Sequence, residues 1–449
     1  MVKNIKFLIA FFSLILSIGC SFDNKTGIWN SKEKERISKI EKKQKQDKKE
    51  IVKLFSSGNI NLKEIPAIKK INLKEPKKNL SWQMKGLNLQ NSIGNIYLPS
   101  INKNFLKKKI GKSKFKLSKI TSTPLIFNNN IFFADDTGSI FSINQKGKIN
   151  WKKNIYKKIY KKIYKNLSLV IDNNKIYVAD NIGFIYSINI ENGELIWIKN
   201  HGIPIKSNIK VFDNKIFLIN QDNRLLCLDS KKGSIIWDLR SISPFIKSQN
   251  FLSMAISEDG YLVMLSSSGD LVKINTKNGQ MYWSLNVLET NDSYGTDFFK
   301  SSDIVIRGNE IIFSTTSSVF SFDINSAYLR WKKNLNSQNT PIIVSDYLFL
   351  VSNNGFFLNL DKNSGKTIWS TNLLKVLKKK KQNTVITGFI LGSGKIYATT
   401  LNGYLIVSSA SSGQIEYFRK IGDKITSPPI ISNGALYILT KKSRILGFN

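Results

Sequence analysis

A heptad that ends in tryptophan recurs along the chain and constrains the fold more than any other feature. Its clearest copy is ENGELIW at 191–197, and the copies end 38 to 48 residues apart, at Trp151, Trp197, Trp237, Trp283, Trp331, Trp369 and Tyr417. Alternating apolar and polar runs precede each copy, for example KIYVADNIGFIYSINI at 175–190, and they predict strand, turn and strand. Each unit therefore holds about four short strands, and repeats of ~40–45 residues with four strands are typical of propeller blades.

Each position of the heptad has a structural explanation. The third residue is usually glycine, which permits the positive φ of a tight hairpin. The fifth is usually apolar, and we expect it to point inward. The final tryptophan is expected to cover the junction with the next blade, where its large area is buried. Ala327 and Tyr417 replace the glycine and the tryptophan of their copies, so we expect local departures in those two blades.

The number of copies predicts an all-β fold, an eight-bladed β-propeller of four-stranded antiparallel blades. Seven complete units precede residues 424–449, which supply only three strands. The stretch LSWQMKGLNL at 80–89 carries Trp82 but has no preceding strands, so we expect it to provide the missing outer strand. This pairing of N- and C-terminal segments closes the ring and protects its edges. The propeller is thus predicted over residues 80–449.

The first 20 residues predict export from the cytoplasm. Basic residues precede an apolar run that is too short for a membrane-spanning helix, as in a secretory signal. The sequence Ser17–Cys20 resembles the lipobox of bacterial lipoproteins, although Ser17 stands where leucine is usual. The resemblance implies a signal peptide at 1–19 and lipidation of Cys20, with ordinary signal cleavage as the alternative. Residues 20–79 are dense in mixed charge and predict a flexible tether.

The chain is strongly basic, with 68 Lys and Arg against 31 Asp and Glu and a formal net charge of +37. Such a balance is typical of proteins that bind nucleic acid, lipopolysaccharide or acidic membranes. Heavy use of lysine in nearly every loop is the compositional alternative. The run NIYKKIYKKIYKN at 154–166 has lysines for phosphates and tyrosines for stacking on bases. We interpret it, and KVLKKKKQN at 375–383, as surface insertions between blades.

The sequence predicts no catalytic residue, no cofactor and no metal site. His201 is the single histidine, which removes Ser-His-Asp and Cys-His nucleophiles and most zinc sites. Acidic residues such as Asp135, Asp136 and Asp180 lie in strand-to-strand turns, where aspartate commonly closes the turn. Cys227 lies in an apparent strand and is expected to be a buried free thiol.

The G-x-[ILM]-x-W ending of each unit resembles the repeat of pyrroloquinoline-quinone-type eight-bladed propellers. With the lipoprotein signal, residues 80–449 resemble the BamB family of outer-membrane assembly lipoproteins. The resemblance implies a non-enzymatic scaffold, lipid-anchored in the outer membrane and facing the periplasm. It would dock on POTRA domains of a BamA-like barrel subunit, as a monomeric subunit of a larger complex that binds no nucleic acid. The alternatives are a quinoprotein dehydrogenase and a propeller that binds anionic lipid or another polyanion.

Two inter-blade segments correspond to the docking segments of that family. The first is SPFIKSQ at 243–249, and the second is TDFFKSSD at 296–303. Lys247 stands where the family favours arginine, and the second segment is less acidic than in the family. The alternative for the aromatic residues is that they seal blade junctions. The contacts that the resemblance implies are Phe245, Ile246, Lys247, Asp297 and Phe298.

Overall fold

The computed structural model describes residues 62–68, 71–112, 114, 123–157, 160, 164–240, 251–288, 300–378 and 384–449. The predicted signal peptide, Cys20 and most of the predicted tether lie outside these residues. Among the residues described, none of the helices has the length and hydropathy needed to span a bilayer.

The first four blades follow one another along the chain after β1 (Asn104–Lys109). Blade 1 consists of β2 (Leu125–Phe127), β3 (Asn130–Ala134), β4 (Ser139–Asn144) and β5 (Ile149–Asn154). Blade 2 consists of β6 (Leu167–Asp172), β7 (Lys175–Asp180), β8 (Phe184–Asn189) and β9 (Leu195–Asn200). Blade 3 consists of β10 (Lys210–Phe212), β11 (Lys215–Ile219), β12 (Leu225–Asp229) and β13 (Ile235–Leu239). Blade 4 consists of β14 (Ser253–Ile256), β15 (Tyr261–Leu265), β16 (Asp270–Asn275) and β17 (Met281–Asn286).

The remaining blades include the one that closes the ring. Blade 5 consists of β18 (Val305–Arg307), β19 (Glu310–Ser314), β20 (Ser318–Asp323) and β21 (Leu329–Asn334). Blade 6 consists of β22 (Ile342–Val344), β23 (Tyr347–Val351), β24 (Phe356–Asp361) and β25 (Thr367–Asn372), followed by a 3₁₀ helix at Leu373–Val376. Blade 7 consists of β26 (Ile386–Gly392), β27 (Lys395–Thr400), β28 (Tyr404–Ser409) and β29 (Ile415–Lys420). Blade 8 consists of β30 (Ile430–Ser432), β31 (Ala435–Leu439), β32 (Arg444–Phe448) and β1.

The blades form a ring around a central axis, which confirms the predicted eight-bladed propeller. Within each blade, neighbouring strands pair antiparallel in the order of the chain, except that β1 pairs with β32 in blade 8. The first strands of neighbouring blades lie beside one another and are almost entirely buried, so they line the axis. The fourth strands are largely exposed and form the rim. Apolar side chains from adjacent sheets make the core between them.

The ring is closed by N- and C-terminal segments as predicted, but the prediction that 80–89 supplies the outer strand is wrong. The outer strand of blade 8 is β1, at 104–109, which pairs with β32. Leu106 pairs with Gly447 on β32, just as Trp151 pairs with Ser142 on the third strand of blade 1. The two residues therefore occupy equivalent register positions. Leu106 therefore takes the structural place that we assigned to Trp82, and it is only 2% exposed.

The tryptophan of one blade covers the hairpin glycine of the next. The glycines have φ near +70°, and a Cβ built on Gly193 would lie 2.7 Å from the ring of Trp151. The same close approach relates Gly233 to Trp197 and recurs in the later pairs Gly279–Trp237, Gly365–Trp331 and Gly413–Trp369. The indole N–H of Trp151 also donates to the carbonyl of Ile190 in the next blade, at 2.9 Å. Glycine is thus required both by its φ and by the space that the indole takes.

The fifth residue of the heptad does not point inward, contrary to the prediction. Ile149, Leu195 and Ile235 are each 45% exposed. They lie on rim strands, and the residue between them and the tryptophan is a β-bulge, since the register shifts by one at that point. The bulge adds a residue to the outer strand and cancels the period-two alternation on which the prediction rested.

Ala327 occupies the hairpin position that is glycine in most copies, and it keeps the same backbone. Its φ is +60°, a left-handed conformation that costs a residue with a Cβ about 1 kcal/mol. We expect Ala327→Gly to raise the free energy of unfolding by about 0.5–1 kcal/mol, because the strain is relieved. Urea unfolding against the native chain measures the difference. A loss of stability would show that the alanine methyl contributes packing that outweighs its strain.

Residues 62–68 and 71–79, which the sequence assigned to the tether, contact the blades. Ile65 exchanges main-chain hydrogen bonds with Ser370 on the outer strand of blade 6, at 2.9 and 3.0 Å. Ile71 and Leu73 pack against buried residues of blades 6 and 7. Residues 62–449 form one compact unit. The structure therefore differs from the predicted boundary at residue 80, because these apolar side chains find partners on the rim.

Candidate functional site

The two faces of the ring differ in what they carry. Because the strands of a blade alternate in direction, the turn between the second and third strands lies on the same face as the link to the next blade. We call this the connecting face. The opposite face carries the turns between first and second strands and between third and fourth strands, and we call it the hairpin face.

The five predicted partner contacts, Phe245, Ile246, Lys247, Asp297 and Phe298, lie outside the described residues. The residues that flank the two segments are described. Arg240 and Phe251 flank the first, and Leu288 and Lys300 flank the second. All four belong to links between fourth and first strands, so both segments leave from and return to the connecting face. The structure brings the flanks of the two segments onto adjacent links, between blades 3 and 4 and between blades 4 and 5.

Asp303, the last residue of the second segment, is not available to a partner because it is held inside the ring. Its carboxylate is 3.0 Å from the ammonium of Lys85. It also accepts hydrogen bonds from Thr340 Oγ1 at 2.9 Å and from Asn208 Nδ2 at 3.4 Å. Burial works to raise the pKa of Asp303, but Lys85 and the hydrogen bonds outweigh it and hold that pKa below its usual value.

The axis of the ring is occupied by the chain's own residues 79–98, which we call the channel segment. Its backbone bonds to the inner strands of one blade after another. Trp82 exchanges two main-chain hydrogen bonds with Ile126 of blade 1, at 2.7 and 2.9 Å. The carbonyls of Gln83, Leu89 and Gln90 then accept from the inner strands of blades 2, 4 and 5, and those of Asn79 and Ile96 accept from turn residues Asn433 and Ser393 in blades 8 and 7. The free edges of the inner strands, which would otherwise lack partners, are satisfied in this way.

Lys210 and Asn91 join the channel segment to blades 3, 4 and 5. The Lys210 ammonium, 1% exposed, donates to Asn91 Oδ1 at 2.6 Å and to the Asn88 carbonyl at 2.7 Å. The Asn91 amide donates in turn to the carbonyls of Met254 and Ile304, at 3.0 and 2.7 Å. Each polar atom of the Asn91 side chain is therefore bonded, as burial of an amide requires. Nothing in the sequence around Lys210 marked it as different from the other lysines.

Burial lowers the pKa of Lys210 to about 7, with Asp303 acting in the opposite direction. The unfolded chain, with a lysine pKa of 10.5, binds the proton more readily between these two pH values. The free energy of unfolding should therefore rise with pH from about 7 to about 10 through this residue. We expect the free energy of unfolding to rise more steeply with pH in the native chain than in Lys210→Met. Urea unfolding at pH about 7 and at pH about 10 measures the difference. Lys199→Met, at an exposed rim position, is the control. If the free energy of unfolding rose with pH as steeply in Lys210→Met as in the native chain, Lys210 would not be the residue responsible.

Asp180 and Asp135 close their turns, as predicted. Asp180 Oδ1 accepts from the main-chain N–H groups of Ile182, Gly183 and Phe184 at 2.8–2.9 Å. Asp135 Oδ1 accepts from Ser139 N at 3.0 Å. Their carboxylates are thus committed to the backbone.

The described part of 154–166 is packed into the junction of blades 1 and 2, in contrast to the surface insertion we predicted. Tyr156 is 9% exposed, and its hydroxyl donates to Asp180 Oδ2 at 2.6 Å. Lys165 is 2% exposed, and its ammonium donates to the Tyr160 carbonyl. Burial raises the pKa of Tyr156 well above its ordinary value. Tyr156 is therefore not free to stack on a base.

The donors that a calcium-bound quinone requires do not converge in the described part of the ring. No group of three or more His, Cys, Asp or Glu that could hold a metal is found there. The channel segment also fills the space between the inner strands near the hairpin face. Cys227, confirmed as a buried free thiol, has a pKa raised to about 12 by burial, so it is not a nucleophile at neutral pH. The described residues do not fit such a cofactor.

Comparisons with known proteins show what the chain is similar to. The family model of the outer membrane protein assembly factor BamB matches residues 136–371 and 358–449. The BamB of Moranella endobia is 21% identical over 285 residues, which cover 57% of this chain and 66% of that protein. The BamB of Yersinia pestis is 19% identical, with 64% of its length covered. The chain thus spans slightly less than two thirds of these relatives. An uncharacterized protein of Rickettsia prowazekii is 23% identical, with 78% of this chain and 89% of that protein covered.

Solved structures share the fold at low sequence identity. The crystal structure of BamB from Moraxella catarrhalis has a TM-score of 0.62 and 12% identity, and covers 77% of this chain and 100% of its own. A europium-containing methanol dehydrogenase has the same TM-score and 11% identity, with 82% and 89% covered. Because both identities are so low, these likenesses show the propeller alone.

Proposed function

The chain belongs to the family of the outer membrane protein assembly factor BamB, and we propose that it is a non-catalytic scaffold of the outer-membrane β-barrel assembly machinery. It is held in the outer membrane by acylated Cys20 and faces the periplasm. It docks on the POTRA domains of a BamA-like barrel subunit, as one subunit of a hetero-oligomeric complex, and aids the folding and insertion of outer-membrane proteins. Several acyl chains on one cysteine hold a protein on a bilayer more stably than a single chain does.

The observation that carries the proposal is the family match across the blades, combined with the occupied axis of the ring. The match extends from residue 136 to the C-terminus. The channel segment bonds to the inner strands of most blades, so the axis offers little room for a substrate or a quinone. The surfaces that remain for binding are the two faces and the rim, which suit a scaffold.

The connecting face at blades 3, 4 and 5 is the proposed docking site. The link between β17 and β18, which contains Asp297 and Phe298, is the longest of the links between consecutive blades. The link that contains Phe245, Ile246 and Lys247 is the neighbouring one. Loops that exceed the length needed to connect two elements commonly carry binding residues. Apolar residues flanked by opposite charges would match a partner surface of mixed character.

Affinity capture of the lipidated chain from detergent-solubilised membranes tests this function. We expect a barrel protein with POTRA domains to be recovered with the native chain. Lys247→Glu together with Asp297→Lys should reduce that recovery about tenfold, because reversal of two contacting charges costs at least about 1.4 kcal/mol of binding. The matched control is Lys148→Glu with Asp346→Lys, two exposed residues on the hairpin face that preserve the net charge in the same way.

The two variants give separable outcomes. Recovery that falls only with the Lys247 and Asp297 pair supports the docking site. Recovery that falls equally with both pairs would remove the proposed site but keep the function. Capture of no barrel protein by the native chain would overturn the scaffold proposal.

A further inference from the structure

The positive charge of the chain is concentrated in two neighbouring blades. Blade 8 and blade 1, with the links beside them, comprise residues 101–165 and 424–449, which we call the basic sector. These residues contain 21 Lys and Arg and only two Asp, a net charge of +19. The basic sector is about a fifth of the chain, yet it carries half of the total charge of +37.

The other six blades are close to balanced. Residues 166–423, which contain blades 2 to 7, have 27 Lys and Arg against 21 Asp and Glu, a net charge of +6. If lysine were simply used more often throughout the chain, each blade would carry a similar excess. The difference between +19 and +6 therefore requires an explanation beyond composition.

Five lysines of the basic sector lie on the outer strands at the rim, and its two carboxylates are buried. Lys107, Lys108 and Lys109 of β1 are exposed, and so are Lys152 and Lys153 of β5. The equivalent three residues on the rim of blade 4 are Ser284, Leu285 and Asn286, and on that of blade 6 they are Ser370, Thr371 and Asn372. The two acidic residues of the sector are Asp135 and Asp136, 3% and 6% exposed.

Both carboxylates accept hydrogen bonds from the backbone that joins β1 to blade 1. Lys112 N donates to Asp135 Oδ2, and Lys114 N donates to Asp136 Oδ1, each at 3.0 Å. These two acids offset only two of the 21 positive charges of the basic sector, which stays strongly basic. The outer strands of the two adjoining blades thus each present exposed lysines.

We propose that the basic sector binds anionic phospholipid headgroups and holds the propeller edge-on against the membrane. A row of exposed lysines on outer strands suits a surface of many phosphates, to which each basic residue adds affinity. Single-stranded nucleic acid is the less suited polyanion, because its binding needs exposed aromatic platforms. Tyr156 of the sector is buried against Asp180, and Tyr160 packs edge-on against Phe184.

The arrangement leaves the proposed docking face free. In a closed ring of eight blades, blade 4 lies across the axis from blade 8, and blade 5 lies across from blade 1. The links that carry the predicted partner residues are therefore on the side of the ring away from the basic sector. A lipid anchor at Cys20, as predicted from the sequence, would keep a bilayer within reach. Acyl chains and a basic surface together attach a protein to a membrane more stably than either does alone.

Vesicle binding by residues 21–449, which retain every described residue but lack the predicted signal and the cysteine, tests the proposal. We expect co-sedimentation with vesicles of equal phosphatidylcholine and phosphatidylglycerol, but not with phosphatidylcholine alone, and a steep loss between low and physiological salt. Lys152→Glu with Lys153→Glu should lower the partition coefficient about tenfold or more. These vesicles contain no protein partner, so the outcome is independent of the proposed docking function.

The matched control is Lys332→Glu with Lys333→Glu on the rim of blade 5. These residues occupy the equivalent positions after the tryptophan, with the same change in net charge. The environments of Lys152 and Lys332 also correspond, since Lys152 Nζ is 5.4 Å from the ring centre of Phe141 and Lys332 Nζ is 5.5 Å from that of Phe320. Lys333 is half-buried, whereas Lys153 is exposed. We expect the control to change the partition coefficient less than about threefold. Circular dichroism establishes that each variant is folded, and Lys107→Gln with Lys109→Gln replaces any blade 1 variant that is not.

Three results would overturn the proposal. The first is the absence of any preference for anionic vesicles. The second is an equal loss in the blade 1 and blade 5 variants, which would assign binding to net charge rather than to the sector. The third is unchanged vesicle binding by the blade 1 variant with loss of binding to a single-stranded oligonucleotide, which would make nucleic acid the ligand.

Discussion

Asn91→Ala should lower the free energy of unfolding by about 3 kcal/mol or more, because it leaves two buried carbonyls without partners and removes one hydrogen bond of the buried Lys210 ammonium. Asn91 is 3% exposed. Its amide nitrogen bonds to the carbonyls of Met254 and Ile304, and its amide oxygen accepts from Lys210. The two carbonyls belong to blades 4 and 5 and the ammonium to blade 3, so a single truncation loosens the channel segment from three blades. Urea unfolding followed by tryptophan fluorescence measures the loss.

Asn88→Ala is the matched control for Asn91. Asn88 is in the same segment, but its side chain bonds only to the main chain of Ser92, at 2.8 and 2.9 Å. We expect this variant to lose about 1 kcal/mol, the usual contribution of a local hydrogen bond near the surface. Equal losses in the two variants would mean that Asn91 stabilises only the local turn and that the channel segment does not connect the blades.

Gly365→Ala should cost about 3 kcal/mol or more, because it combines backbone strain with a steric overlap. Gly365 has a φ of +68°, and a Cβ there would lie 2.7 Å from the ring of Trp331. That indole is 8% exposed and is fixed by a 2.7 Å hydrogen bond to the carbonyl of Lys362, so it has little freedom to move aside. Thermal and urea unfolding both measure the change.

Gly308→Ala separates the two contributions. Gly308 also has a positive φ, +56°, but its Cβ would meet nothing within 4 Å. We expect a loss of about 1 kcal/mol, which is the strain alone. The Gly365→Ala loss should also shrink when Trp331 is replaced by the smaller leucine, as measured in a double-mutant cycle. If Gly365 and Gly308 respond equally, the tryptophan does not constrain the hairpin.

The propeller could be predicted because its information is local and repeated. Each blade carries its own alternating runs and its own hairpin, so the copies of ENGELIW identify the strands and count the blades. The glycine positions could be predicted because each hairpin requires a positive φ. The tryptophan positions could be predicted because each indole covers the junction between one blade and the next. The fifth residue was misplaced because a β-bulge, which has no strong sequence signal, shifts the register before the tryptophan.

The closing strand and the channel segment could not be predicted in the same way. Both 80–89 and 104–109 precede the first blade, and Trp82 made the earlier stretch look like a copy of the heptad. In the structure, the free edges of the inner strands accept the earlier segment, and NFLKKK pairs with β32. Lys210 and Asp303 became recognisable only through contacts with residues far away in the chain. The partner residues Lys247 and Asp297 stay predictions.

The sequence alone determined the blades, because strand alternation and hairpin glycines act between near neighbours. The tertiary structure decided what the ring encloses and what it presents. Residues 79–98 have no periodic pattern that reveals their place, and they become the core of the axis only when eight inner strands surround them. The basic sector likewise joins residues 101–165 to 424–449, which are at opposite ends of the propeller sequence. Their charges come together only because β1 pairs with β32 to close the ring.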